Sequence, residues 1–115
     1  MSTGKFELSD FERKFLHASS QDKPKIVFEA VTRKEHVPQG FVRPIMEEFA
    51  NDGNYGNAAR LAHYIGETKL AKIYAFEHVY GFMGMGNLRG AKEVAKSLIT
   101  LEILTEVDFK ELFVN

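Results

Sequence analysis

The 115-residue chain contains no cysteine and no tryptophan. The missing cysteines exclude disulfide bonds, thiolate catalysis and cysteine-ligated zinc. Neither sign of charge dominates, because fifteen Lys and Arg side chains stand against sixteen Asp and Glu, which gives a formal net charge of −1. The chain therefore has no sequence-wide positive field that would attract nucleic acid or an anionic membrane.

Long apolar runs are also missing. No run approaches the roughly 20 residues that are needed to span a bilayer, and the polar segment 1–14 lacks the apolar core of a signal peptide. We therefore expect a cytoplasmic protein without membrane contact. A chain of this length forms one domain, 1–115, with a real but small core.

The chain contains an internal repeat with a period of 33 residues. Its apolar and small positions recur in register as the pairs Val42 and Ala75, Ile45 and His78, Met46 and Val79, Phe49 and Phe82, Gly53 and Gly86, Asn54 and Asn87, Ala58 and Ala91, Leu61 and Val94, Ala62 and Ala95, and Ile65 and Leu98. A period of this size is typical of helical-hairpin arrays, because one hairpin buries its apolar face only when a neighbour stacks on it. The repeat favours a binding scaffold over an enzyme.

Seven helices and no strand are predicted. Ser9 and Glu12 form a capping box at the start of the first helix. Asp22 is expected to cap the second helix, which holds Pro24 in its first turn and must end before Pro38. The third, fourth and fifth helices are expected at about Phe41 to Ala50, Tyr55 to Ile65 and Thr68 to Met83. Asn87 caps the sixth, whose face consists of Leu88, Ala91, Val94, Ala95 and Leu98. Thr105 opens a last short helix that contains Val107, Phe109, Leu112 and Phe113.

Short connections make consecutive helices antiparallel neighbours. A shift of 34 residues extends the repeat backwards in weaker form. The predicted fold is therefore all-α, a right-handed array of about three antiparallel helical hairpins closed by a capping helix. We expect a degenerate hairpin in 1–34, regular hairpins in 35–67 and 68–100, and the capping helix in 101–115.

Two segments of the repeat carry a family resemblance. The segments 53–58 (GNYGNA) and 86–91 (GNLRGA), each followed by a small residue and an aliphatic one, resemble the turn and second helix of a tetratricopeptide (TPR) repeat. Gly and Asn permit the tight reversal, and small alanines let the two helices approach closely. The resemblance covers about residues 40–100. The first helices depart from the family in lacking its tryptophan and Leu-Gly pair, and no proline closes either unit.

The TPR resemblance implies a groove that is lined by the first helix of each hairpin and holds a peptide or helix. Transferred to this chain, the groove face consists of Arg13 and His17, then Arg43, Glu47 and Asn51, then Ile73, Phe76, Glu77 and Tyr80. We expect a protein or peptide partner there, with Phe76 and Tyr80 as apolar anchors and Arg13, Arg43 and the two carboxylates setting the polarity. The face lacks the lysine and asparagine clamp with which some TPR proteins hold a terminal carboxylate. A homodimer in which the two subunits exchange the last helix is a further alternative.

A nucleic-acid-binding helical-repeat protein is the alternative function. A local basic face would consist of Lys69, Lys72, Arg89, Lys92 and Lys96. Acidic side chains at 67, 77 and 93 interrupt this set, which favours an ordinary solvated surface. Nucleic acid is therefore the less favoured partner.

The four histidines raise the alternative of a metal protein or a small helical enzyme. His17, His36, His63 and His78 follow neither the His-Glu-x-x-His nor the Glu-x-x-His pattern. His63 and His78 lie on adjacent predicted helices and could meet. His78 corresponds to Ile45 in the repeat, which favours a packing role. We expect no metal, no cofactor and no catalysis.

Overall fold

The computed structural model describes residues 9–113. Seven helices make up 75% of these residues and no strand occurs among them, so the predicted all-α class is confirmed. No helix in the described range is long and apolar enough to cross a membrane. The helices are α1 (Asp10–His17), α2 (Lys23–Thr32), α3 (Gln39–Asn51), α4 (Tyr55–Tyr64), α5 (Thr68–Gly84), α6 (Leu88–Thr100) and α7 (Glu106–Phe113).

The helix starts follow the predicted capping signals with one exception. Ser9 Oγ accepts from the backbone N–H of Glu12 at 3.1 Å, and the Glu12 carboxylate accepts from the Ser9 N–H at 3.0 Å. Asn87 Oδ1 accepts from the Gly90 N–H at 2.9 Å and so caps α6. Asp22 precedes α2 as expected, but its side chain makes no capping hydrogen bond. The predicted side-chain cap at Asp22 is therefore wrong, and Pro in the first turn marks this start instead.

Five of the helices end in the same hydrogen-bonded turn. In each turn one residue has a positive φ, and the next N–H donates to the carbonyl five positions earlier. At α3 and α5 the positive φ falls on Gly53 and Gly86, where the missing Cβ removes the steric cost. The closing bonds join Asn54 N to Phe49 O, Asn87 N to Phe82 O, Glu35 N to Ala30 O, Glu67 N to Ala62 O, and Ile103 N to Leu98 O, at 2.8 to 3.0 Å. Each turn reverses the chain, so every helix packs on the next one.

Side-chain contacts connect α1 to α3, and α3 to the turn that precedes α5. The Phe11 and Phe15 rings of α1 meet Phe41 at the start of α3, with centroid distances of 5.6 and 4.9 Å. Further along α3, Arg43 Nη2 lies 2.8 Å from Glu67 Oε2 in the turn that precedes α5.

Helix α4 also contacts α2 and the segment that follows α2. The Arg60 guanidinium of α4 lies 5.4 Å from the centroid of Phe28 on α2. One turn later, the Tyr64 hydroxyl donates to Glu35 O and accepts from the Val37 N–H, both at 2.8 Å. The Tyr64 side chain thereby holds the α2–α3 connection against α4.

The core consists largely of alanines and medium-sized aliphatic side chains. Eight alanines are at most 1% exposed, which lets the helices approach closely. The largest fully buried side chains are Met46, Leu61, Val27, Val42 and Val79. Both members are buried in the repeat-related pairs Val42 and Ala75, Met46 and Val79, Ala58 and Ala91, and Ala62 and Ala95.

The last helix, α7, is attached through a buried carboxylate. Lys72 Nζ on α5 lies 3.2 and 3.1 Å from the two Asp108 oxygens, and the Thr105 N–H donates to Asp108 Oδ2 at 2.9 Å. Thr105 Oγ1 in turn accepts from the Asp108 N–H at 3.1 Å. On this helix Val107 is 65% exposed, whereas Asp108 is buried.

Acidification should weaken this attachment. Burial raises the pKa of Asp108, but the hydrogen bonds from Thr105 and Lys72 outweigh burial and hold the pKa below its ordinary value. A carboxyl group with a lower pKa in the folded chain stabilises the fold above its unfolded pKa, about 4, and this contribution is lost as the pH falls through the folded pKa. We expect Asp108→Asn to be less stable than wild type at neutral pH and to lose less stability between neutral pH and about pH 3.

Chemical denaturation at several pH values measures this difference. The matched control is Glu111→Gln, a neutralising change at an exposed position of the same helix. The control should follow the wild-type curve. An Asp108→Asn curve parallel to wild type at all pH values would mean that this carboxylate does not contribute to the acid sensitivity.

Candidate functional site

The predicted groove residues lie on α1, α3 and α5. Arg13 and His17 are exposed on α1, as are Glu47 and Asn51 on α3. On α5, Glu77 is exposed, and Ile73 and Tyr80 are 55% and 52% exposed. Arg43 and Phe76 differ from the others because each is half-buried in contacts with its neighbours.

An apolar stripe runs along the outer face of α5 and consists of Ile73, Phe76 and Tyr80. The Phe76 and Tyr80 rings, one helical turn apart, stack with a centroid distance of 6.1 Å and an interplanar angle of 24°. Phe76 also packs against the core. Phe76 therefore contacts both the core and the Tyr80 ring. Within the stripe, Ile73 and Tyr80 have the larger exposed fractions and are the side chains that a partner can contact.

The charges near the stripe are unbalanced. Arg43 forms an ion pair with Glu67, and the two side chains are 39% and 40% exposed. Neither Glu47 nor Glu77 takes part in any ion pair of residues 9–113. Because the Arg43 charge is matched by Glu67, the surface between α3 and α5 is left with the two unmatched carboxylates.

A cavity of about 510 Å³ opens beside the stripe, where α3 and α5 end. Its walls are Gly53, Tyr55, Glu77, His78, Tyr80, Gly81, Phe82 and Met85. Glu77 and Tyr80 had been predicted as groove residues, whereas Tyr55 and Met85 had not. Met85 is 73% exposed in the turn after α5. Its position between two glycines was the one sequence signal that it lies outside the packed helix.

Tyr74 on α5 lies against Tyr55, which is the first residue of α4 and part of the cavity wall. Their ring centroids are 6.0 Å apart. Burial raises the pKa of Tyr74, and the Glu47 carboxylate and Tyr55 raise it further. Glu47 on α3 is therefore close enough to act electrostatically on a side chain of α5, which brings this predicted groove residue to the edge of the same surface.

His78 has a packing role in the structure. Its ring meets Phe82 edge to face at 5.5 Å, and a Cβ placed on Gly56 would lie 2.9 Å from His78 Nε2. Burial lowers the pKa of His78, which favours the neutral ring at neutral pH. His63 lies seven residues after Gly56 on α4, about 10 Å further along that helix. The two histidines that the sequence placed on adjacent helices are thus held apart.

No metal site follows from these positions. Within residues 9–113, no group of three or more His, Asp or Glu side chains is arranged to hold a metal ion.

The predicted basic face is partly engaged by α7. Lys72 pairs with Asp108, and Lys92 Nζ lies 5.9 Å from the Phe113 centroid. The remaining basic side chains of this face are exposed, with Lys69 on α5 and Arg89 and Lys96 on α6. Two of the five basic side chains, Lys72 and Lys92, thus contact α7. This weakens the case for a continuous phosphate-binding surface.

The described residues define the chain as an all-α protein with an exposed apolar stripe on α5 beside an aromatic and acidic cavity. No protein-family model, no curated protein and no solved structure matches this chain.

Proposed function

We propose that this protein is a non-catalytic protein–protein interaction module, an adaptor, small chaperone or assembly factor that binds a peptide or helix across α3 and α5. The observation that carries the proposal is the exposure of Ile73 and Tyr80, each more than half accessible, on one face of α5 beside the cavity. Exposed apolar side chains that are grouped and rimmed by charges mark interaction surfaces more often than scattered ones do.

The proposal includes a TPR-like arrangement of the hairpins. Three observations support it: the same turn closes five helices, side-chain contacts connect α1 to α3 and α3 to the turn before α5, and four repeat-related pairs are buried in both members. In such an array, first helices form a continuous surface and the terminal helix covers the last hairpin. The packing of α7 on α6 and its ion pair to α5 are consistent with that terminal role.

The spacing on α5 suits an elongated ligand. Ile73, Phe76 and Tyr80 follow the i, i+3, i+7 pattern, so their side chains form a line about 10 Å long. The cavity lies at one end of this line and the Arg43–Glu67 pair at the start of α5 marks the other. A helix or extended peptide can contact the whole line at once, in the manner of helix-in-groove recognition.

Affinity capture from the native lysate tests the proposal with the double variant Ile73→Ala/Tyr80→Ala. Both side chains are exposed, so the variant should fold with wild-type helicity. Loss of two anchor side chains should reduce the captured partner about tenfold or more. Phe76 is left intact because its truncation would also disturb the core.

The control is the double variant Leu88→Ala/Val107→Ala, which removes two apolar side chains that are 51% and 65% exposed and lie outside α5. It should capture the partner as wild type does. Equal capture by all three proteins, or equal loss in both variants, would contradict the proposed surface. Recovery of nothing but nucleic acid that salt releases would favour the basic-face alternative.

A further inference from the structure

The cavity beside Tyr80 has a negative electrostatic environment. Glu77 lies in its wall, and Glu47 raises the pKa of Tyr74, whose ring lies against Tyr55 of the wall. No Lys or Arg lines it, and the nearest cation of the predicted face, Arg43, is matched by Glu67. The cavity therefore contains uncompensated negative charge next to an apolar surface.

Three helix ends border the cavity, and the two C-termini, of α3 and α5, outnumber the one N-terminus, that of α4 at Tyr55. Gly53 follows the C-terminus of α3, and Gly81 and Met85 belong to the last turn of α5 and the turn beyond it. Helix C-termini carry a partial negative charge, which favours cations within the last turn. Because His78 is the only basic side chain in the wall and burial lowers its pKa, it does not cancel this field at neutral pH.

The walls are also suited to an organic cation. The rings of Tyr55, Tyr80 and Phe82 surround the opening, and Met85 adds a polarisable side chain. Aromatic faces attract ammonium and guanidinium groups, and the methylene stem of Lys or Arg is itself apolar. An anionic side chain would meet the Glu77 carboxylate here, and a purely apolar one would leave Glu77 without a partner.

We propose that this cavity binds a lysine or arginine side chain of a basic amphipathic partner segment, whose apolar side chains lie on Ile73 and Tyr80. This inference rests on the proposed function and specifies the chemistry of the partner. The cation would contact Glu77 and the tyrosine rings, while the neighbouring stripe takes the apolar face of the same segment. Charge complementarity thereby sets the register of the ligand along α5.

Three designed amphipathic peptides of about 14 residues test the inference, with leucines at helical spacing and Lys, Gln or Glu at all other positions. Fluorescence anisotropy measures their affinity for the full chain. The Lys peptide should bind about tenfold more tightly than the Gln peptide, and the Glu peptide should bind least. Glu77→Gln should weaken the Lys peptide about three- to tenfold and leave the Gln peptide unchanged.

Glu111→Gln is the matched control, because it removes the same charge from an exposed position on α7. It should leave the affinity of the Lys peptide at the wild-type value. Equal losses in the Glu77→Gln and Glu111→Gln proteins would overturn the inference, since the effect would then reflect overall charge.

The peptide series separates this inference from the proposed function. If all three peptides bind equally and Ile73→Ala/Tyr80→Ala abolishes their binding, the cation site is overturned and the interaction surface stands. If none of them binds, the cation site is also overturned, and the capture experiment decides the interaction surface independently.

Discussion

Replacing Leu61 with alanine will lower the free energy of unfolding by about 3 kcal/mol, the usual cost of removing a fully buried leucine side chain. Leu61 is 0% exposed and is among the largest completely buried side chains. It lies on α4, which packs against α3 and α5, so three helices would have to move together to fill the space. Urea denaturation followed by circular dichroism measures the change.

Leu88→Ala is the matched control, since it is the same substitution at a side chain of α6 that is 51% exposed. We expect a loss of less than about 1 kcal/mol there. Equal losses in the two variants would show that α4 does not present Leu61 to the core, and would remove the helix packing on which the proposed surface depends.

Gly56→Ala will lower stability by about 1 to 2 kcal/mol, although alanine normally stabilises a helix relative to glycine. The new Cβ would lie 2.9 Å from His78 Nε2, closer than side-chain carbons come in folded proteins. Moving the His78 ring away from the new Cβ would disturb its edge-to-face contact with Phe82. The steric cost therefore exceeds the gain in helix propensity.

Gly81→Ala is the control for this effect. A Cβ at this position of α5 meets nothing within 4 Å, so we expect a gain of about 0.5 to 1 kcal/mol. In a His78→Ala background, Gly56→Ala should also become neutral or stabilising, which a double-mutant cycle would detect. Stabilisation by Gly56→Ala in the wild-type background would contradict the contact between α4 and α5.

The same contact matters for the proposed site. His78 packs on Gly56 and Phe82 and also forms part of the cavity wall beside Glu77 and Tyr80. The α4–α5 packing thus positions the residues that would meet a ligand. A variant that disturbs Gly56 should consequently change the cavity as well as the stability, whereas Ile73→Ala/Tyr80→Ala should change only the surface.

Local signals were sufficient for most of the helix boundaries. The caps at Ser9 and Asn87 were predictable from the sequence because their hydrogen bonds join residues only three positions apart. The main boundary error was α3, which begins at Gln39 instead of about Phe41 and contains Pro44 in its interior. Pro44 is exposed, so its ring faces solvent rather than the packed side of the helix.

The candidate site was predictable only in part. The repeat period indicated which helix faces point away from their partners, and Ile73, Glu77 and Tyr80 are exposed as that argument expected. The Phe76 contact with the core and the Arg43–Glu67 ion pair were not predictable, because both depend on how closely two helices approach.

The sequence by itself determined the all-α class, the seven helices and the small residues at the helix contacts, because these follow from hydrophobic periodicity, capping residues and glycine turns that act over a few positions. Only the tertiary structure decided that Asp108, not Val107, is buried on α7, and that Glu47 and Glu77 are left without cations beside a cavity. The physical reason is that ion pairing and cavity formation depend on distances between residues 24 to 36 positions apart, as in the Arg43–Glu67 and Lys72–Asp108 pairs, and no local pattern specifies those distances.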